Sequence, residues 1–157
     1  MRKHLTLNLV ILLLLSSLPI FSQKTGNFKI ENLIGTWQAE SNEISSTYLD
    51  TYVFSKNEFT FKPTGYNGLN RIVEIKGSYK LIENKIIFHV NSITEIIGGK
   101  IERSMTTTLS DSWAIDGGKL VTKKTKSDAQ TAILESCEPK CLIIDKRKFY
   151  KINDDEK

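Results

Sequence analysis

Few residues in this chain have the type and spacing to do chemistry. Cys137 and Cys141, its only cysteines, bracket Glu138-Pro139-Lys140. Two thiols that close pair readily in an oxidising compartment, and Pro139 can start the turn that brings them together. The spacing therefore predicts a disulfide clamping a hairpin tip, with about 2 kcal/mol from closing so short a loop. A redox pair or a soft-metal site are the rival readings. Three intervening residues depart from the Cys-x-x-Cys pattern, however, and no further ligands stand nearby. His89 lies in Ile86-Ile87-Phe88-His89-Val90, facing away from Phe88 in a regular strand, and is read as a strand histidine rather than a catalytic one. There is no Gly-x-Ser-x-Gly, P-loop or His-Glu-x-x-His motif, and the acidic residues stand singly. The expectation is a non-enzyme without catalytic residues, metal or cofactor.

What the sequence offers instead is an aromatic set, Tyr52, Phe54, Phe59, Phe61, Tyr79, Phe88 and Trp113. These residues either line a ligand cavity or simply fill a core, since a barrel of about eight strands is the size at which either happens.

The elements that would position them are strands. Apolar residues alternate in Glu58-Phe59-Thr60-Phe61-Lys62, and again at Val73, Ile75, Gly77, Tyr79 and Leu81 with Glu74, Lys76, Ser78 and Lys80 between them. Period two with one polar face describes an antiparallel sheet wetted on one side. Met105, Thr107 and Leu109 continue the pattern more weakly. Hairpin turns are expected at Ser55-Lys56-Asn57-Glu58, at Glu83-Asn84, at Asp116-Gly117-Gly118-Lys119 between Trp113-Ala114-Ile115 and Leu120-Val121, and at Ile97-Gly98-Gly99-Lys100. Only Phe28 to Leu33 has helical potential. About eight to ten strands linked by local hairpins predict an all-β, antiparallel up-and-down barrel, with a β-sandwich as the alternative.

The first residues are organised differently. Arg2 and Lys3 precede an apolar stretch from Leu5 to Leu18, 14 residues long and ended by Pro19. That is short of the roughly 20 residues a membrane-spanning helix needs. The pattern predicts a signal peptide over residues 1–22, cut after Ser22, a barrel domain over 23–153 and a polar tail over 154–157. An uncleaved signal anchor is the alternative. Export to the periplasm or the medium is expected, with no membrane span in the mature chain. Residues 23–157 number 135, a common size for one domain, and their formal charge is +2. That balance gives no case for nucleic acid, and the basic residues are read as a solvated face.

The segment Asn32-Leu33-Ile34-Gly35-Thr36-Trp37 resembles the opening of the lipocalin-like proteins exported by bacteria. Gly77-Ser78-Tyr79-Lys80-Leu81, Trp113 to Leu120 and Lys148-Phe149-Tyr150-Lys151-Ile152 are similar to that family's middle and closing strands. The resemblance implies a barrel whose mouth admits a small apolar ligand, with Trp37 plugging one end. It also implies a basic side chain from late in the chain covering that indole, for which Arg147 and Lys148 are the candidates. Two functions follow as expectations. One is an exported protein that binds a small apolar or amphipathic ligand. The other is a protein-interaction module, of inhibitor or immunity type, displaying the Cys137–Cys141 tip and the Tyr66-Asn67-Gly68-Leu69 loop on a filled barrel.

Overall fold

A computed structural model of the chain describes residues 28–42, 48–65, 68–104, 112–126, 128–138 and 140–152. The expected signal peptide, the polar tail, Pro139, Tyr66, Asn67 and the run containing Met105, Thr107 and Leu109 lie outside them. The fold is all-β, as the alternation predicts, and the barrel is the architecture adopted.

One short helix, α1 (Ile30–Leu33), precedes eleven strands: β1 (Gly35–Ala39), β2 (Thr51–Phe54), β3 (Glu58–Lys62), β4 (Ile72–Ile82), β5 (Lys85–Ile97), β6 (Lys100–Ser104), β7 (Ser112–Asp116), β8 (Lys119–Lys124), β9 (Gln130–Glu138), β10 (Cys141–Ile144) and β11 (Arg147–Ile152). Helix is confined to four residues of the Phe28–Leu33 stretch. Eight strands, β1 to β5 and β9 to β11, pair antiparallel in chain order. The ring closes where β1 pairs with β11, from Thr36 opposite Ile152 to Ala39 opposite Phe149. Closure leaves these strands no free edge, which removes the usual hazard of an exposed ladder.

The interior is built by the period-two pattern. Trp37, Phe54, Phe59, Tyr79, Ile86, Phe88, Leu134, Leu142 and Phe149 are buried in one core, with Tyr52, Phe61 and Ile75 packed on it. Cross-strand partners share a face of the sheet. Tyr52 stands opposite both Trp37 and Phe61, and Phe54 opposite Phe59, so the aromatic residues of β1, β2 and β3 meet inside. At Gly77 the β4–β5 ladder slips, leaving Asn91 unmatched between Val90 and Ser92. A bulge bends a strand, and here the bend lets Gly77 lie directly against β5. A Cβ at Gly77 would sit 2.0 Å from the His89 carbonyl oxygen and 2.8 Å from the Phe59 ring.

Beyond that bulge the molecule departs from a plain meander. The far half of β5, Ser92–Ile97, pairs with β8, while its near half, Lys85–Phe88, pairs with β9. β8 and β9 thus lie along the same edge of β5. The Gly-Gly segments expected as two hairpin turns are neither: β7 does not pair with β8, nor β6 with β5. Instead β6 pairs with β7, from Lys100 opposite Asp116 to Ser104 opposite Ser112. The β5–β8 ladder ends at Ile97 opposite Lys119. Both ladders keep one register, so Gly98 faces Gly118 and Gly99 faces Gly117 across a corner in a single long ribbon. Gly98, Gly99 and Gly117 have φ of 73°, 77° and 69°, the left-handed values for which glycine is preferred. Tight hairpin turns and ribbon corners ask for the same dihedrals, which is why the sequence pattern reads as either. The β6–β7 ladder is described as far as Ser104 opposite Ser112, and residues 105–111 lie outside the described residues.

The two glycine sites make different demands. Gly77→Ala is expected to lower stability by about 2–3 kcal/mol through overpacking against β5. Gly117→Asn, with nothing within 4 Å of its Cβ position, is expected to change it by less than about 1 kcal/mol, because asparagine tolerates left-handed φ. Urea denaturation of the two variants checks the ordering, and equal losses would discard this account.

Candidate functional site

The two barrel ends are built differently. At the end where β1 begins, α1 makes one turn and buries Leu33. The Trp37 indole N–H donates to the Leu33 carbonyl at 2.7 Å, which satisfies both the indole and an otherwise unpaired helix-end carbonyl. Trp37 is 5% exposed and packs with Leu33 in the core at that end. The cation over its ring is Lys151, with Nζ 5.4 Å from the indole. Neither expected residue takes that position, since cross-strand pairing sets Lys151 directly opposite Trp37, whereas Lys148 pairs with Ile143 and Arg147 lies near the other end. Cys137 and Cys141 are disulfide-bonded at a Cα separation of 5.4 Å, where β9 turns into β10. Beside them a groove of about 380 Å³ runs between α1 and β10, its wall shared between Phe28, Leu33, Trp37, Cys141 and Leu142 and the polar Glu31, Asn32, Ser136, Lys140 and Lys151.

The opposite end is open. A cavity of about 260 Å³ enters the barrel there, walled by Tyr52, Phe61, Phe88, Phe149, Ala132 and Ile144, with Gln130, Thr131, Asp145 and Arg147 towards its polar side. Tyr52 is the centre of the aromatic wall. Its ring lies 4.6 Å from Phe61, 5.3 Å from Phe149 at 66° and 5.8 Å from Phe88 at 15°. Offset and edge-on contacts at such distances are the favourable ones for aromatic pairs. Phe59 supports this wall from behind, edge-on to Phe88 at 4.7 Å.

The aromatic set expected from the sequence therefore divides three ways. Tyr52, Phe61 and Phe88 border the cavity. Phe54, Phe59 and Tyr79 belong to the packed core, where the Tyr79 hydroxyl donates to the Ser55 carbonyl at 2.7 Å. Trp113 is on β7, outside the barrel and 54% exposed. Strand alternation predicts which residues share a face but not whether a strand belongs to the barrel, so Trp113 was indistinguishable from the rest. Phe149, Ala132 and Ile144 were missed as wall residues. The alternation of β11 marks Phe149 as inward, and this signal could have found it.

A charged cluster fixes the rim. Arg147 pairs with the buried carboxylate of Asp50, reaches Glu40 at 3.3 Å and lies 5.7 Å over the Phe149 ring. Asp50 also accepts the Thr64 backbone N–H. The group ties the end of β1, the loop before β2, the loop after β3 and the start of β11 together. Asp145 accepts the Ile133 backbone N–H at 2.9 Å. His89 is opposite Ser78 on β5 and half-buried, and among the described residues no three histidine, cysteine or acidic side chains gather in a way that could hold a metal.

Burial pushes the Tyr52 phenol from its ordinary value of 10 up to about 12, with Asp50 and Asp145 adding to the shift and Arg147 opposing it. Burial raises Tyr79 as well. A raised folded-state value means the folded protein keeps a proton that the unfolded chain loses. The contribution of Tyr52 is therefore complete below pH 10 and is lost as pH rises towards 12, by about 2 kcal/mol. Absorbance titration of tyrosinate is expected to show a late-ionising component that shrinks in Tyr52→Phe, leaving that of Tyr79, while the variant's stability falls less steeply above pH 10. Simultaneous ionisation of every tyrosine near pH 10 would contradict the burial described.

No family model, curated protein or solved structure matches this chain, so its functional reading rests on the cavity and its walls.

Proposed function

We propose that this protein is an exported, non-enzymatic, lipocalin-like carrier that holds a small apolar or amphipathic molecule in the open end of its barrel. The observation that carries the reading is the cavity bounded by Tyr52, Phe61, Phe88 and Phe149, open at the barrel end opposite the Trp37–Leu33 hydrogen bond. Small-molecule sites are mostly apolar hollows with a few polar groups, and here the aromatic and apolar walls share the hollow with Gln130, Thr131, Asp145 and Arg147. At about 260 Å³ it falls just below the range of about 300–1,000 Å³ that takes drug-sized ligands. The ligand class is accordingly narrow: one flat ring or a short chain stacked on Tyr52 and Phe88, with a polar end at the rim beside Gln130, Thr131 and Asp145. The disulfide supports export, since such bonds persist in oxidising compartments.

The neutral dye 1-aminonaphthalene, a single flat fused ring whose emission shifts to the blue in apolar surroundings, tests the site. Binding is expected to saturate at one dye per chain and to weaken at least about tenfold in Ala132→Leu, whose added side chain projects from a buried wall position into the cavity. Dye binding unchanged by Ala132→Leu, in a variant shown to be folded by its near-ultraviolet circular dichroism, would place the ligand elsewhere. No binding in the parent protein would favour the interaction-module reading.

A further inference from the structure

The mouth of the barrel cavity is charged, and its two charges are not equally available. Among the described residues that line the cavity, Asp145 and Arg147 are the charged ones. Arg147 is engaged within the protein, with Nη1 on Asp50 and Nη2 on Glu40. Asp145 accepts the Ile133 backbone N–H with one carboxylate oxygen at 2.9 Å, and among the described residues its other oxygen has no hydrogen-bond partner. An ionised carboxylate only accepts, so the group still open at the mouth calls for a donor.

The surroundings act in the same direction. Glu40, Asp50 and Asp145 set three carboxylates against the single guanidinium of Arg147. Lys146, the other charged residue of the turn between β10 and β11, is exposed and forms no part of the cavity wall. The imbalance is felt inside. Burial raises the Tyr52 phenol most; after it come Asp50 and Asp145, and the opposing Arg147 is the weakest influence, so the charges at this wall sum to a negative potential.

The aromatic wall prefers the same sign of ligand. Ring faces are negative and attract cations. Phe149 already has one over it, the Arg147 guanidinium at 5.7 Å, and among the described residues no cation lies over Tyr52, Phe61 or Phe88. An anionic ligand would meet Asp145 and these ring faces unfavourably. Arg147 could turn to it only by leaving Asp50, whose buried charge would then stand unpaired.

We infer that the molecule held in the cavity is an organic cation, a flat ring or short chain bearing a protonated amine. The apolar part lies against Tyr52 and Phe88. The ammonium sits at the mouth and donates to Asp145, with the side-chain oxygens of Gln130 and Thr131 as further acceptors. This depends on the carrier reading and adds to it the charge of the ligand's polar end.

Three probes with one ring and different heads test it: benzylammonium, benzyl alcohol and benzoate. Each is titrated into the full chain at pH 7, following the backbone amide signals of Gln130 to Ala132 by nuclear magnetic resonance. Benzylammonium is expected to bind about fivefold more tightly than benzyl alcohol, the worth of one good ion pair open to solvent, and benzoate most weakly. The advantage should shrink as salt is added. Asp145→Asn keeps an oxygen for the Ile133 N–H; it should bring benzylammonium down to the level of benzyl alcohol and leave benzyl alcohol unchanged. Benzyl alcohol or benzoate binding as tightly as benzylammonium would overturn the inference and leave the carrier reading standing. An advantage for benzylammonium that survives Asp145→Asn would overturn it too. Absence of binding by all three would remove the carrier reading and this inference together.

Discussion

The pairing of β1 with β11 is the constraint on which the remaining structure depends. It joins residues more than a hundred positions apart, and until it forms the sheet has two open edges and no inside. Each end of the seam is secured by different physics. At one end a cation lies over an indole, Lys151 on Trp37; at the other a guanidinium holds two carboxylates, Arg147 on Asp50 and Glu40. Exposed ion pairs contribute little, but Asp50 is buried, and removing Arg147 would leave its charge unpaired away from water. The charged rim is therefore structural before it is anything else. It holds the open end of the barrel open in a defined shape.

That shape explains why one set of aromatic rings serves both as core and as cavity wall. Eight strands enclose a space that side chains nearly fill. Towards the plugged end Phe54, Phe59 and Tyr79 complete the filling. Towards the open end Ala132 contributes only a methyl group where a larger side chain would meet Phe88 and Phe149, and the hollow results. The balance between packing and vacancy is set by residue size at a few inward positions.

The strands were legible because alternation is a local signal: Glu58–Lys62 and the inward run Ile75, Gly77 and Tyr79 face as their pattern says. The disulfide was legible for the same reason, being a matter of five consecutive residues. What could not be read was anything that depends on which strand meets which. Lys151 covers Trp37 because the seam has one register and not another, and shifting it by one residue would turn Lys151 outward. Trp113 carries the same strand signal as Phe88, yet one lies on an arm and the other in the barrel. The glycine pairs were misread because dihedral preference specifies a bend without saying whether the chain reverses there or continues.

The ribbon that turns at Gly98, Gly99, Gly117 and Gly118 keeps its register on both sides of the corner, so it acts mechanically as one lever with a bend and not as two jointed pieces. Its inner limb is β5, the strand that lower down carries Phe88 in the cavity wall and is clasped by β4 along the opposite edge. Force applied to Trp113 at the outer limb runs along hydrogen-bonded backbone into the barrel wall. No slack loop intervenes between β7 and β8 or between β5 and β6 to absorb it. The strand that carries Phe88 in the cavity wall thus runs on, past the bulge at Asn91, through the corner into the arm.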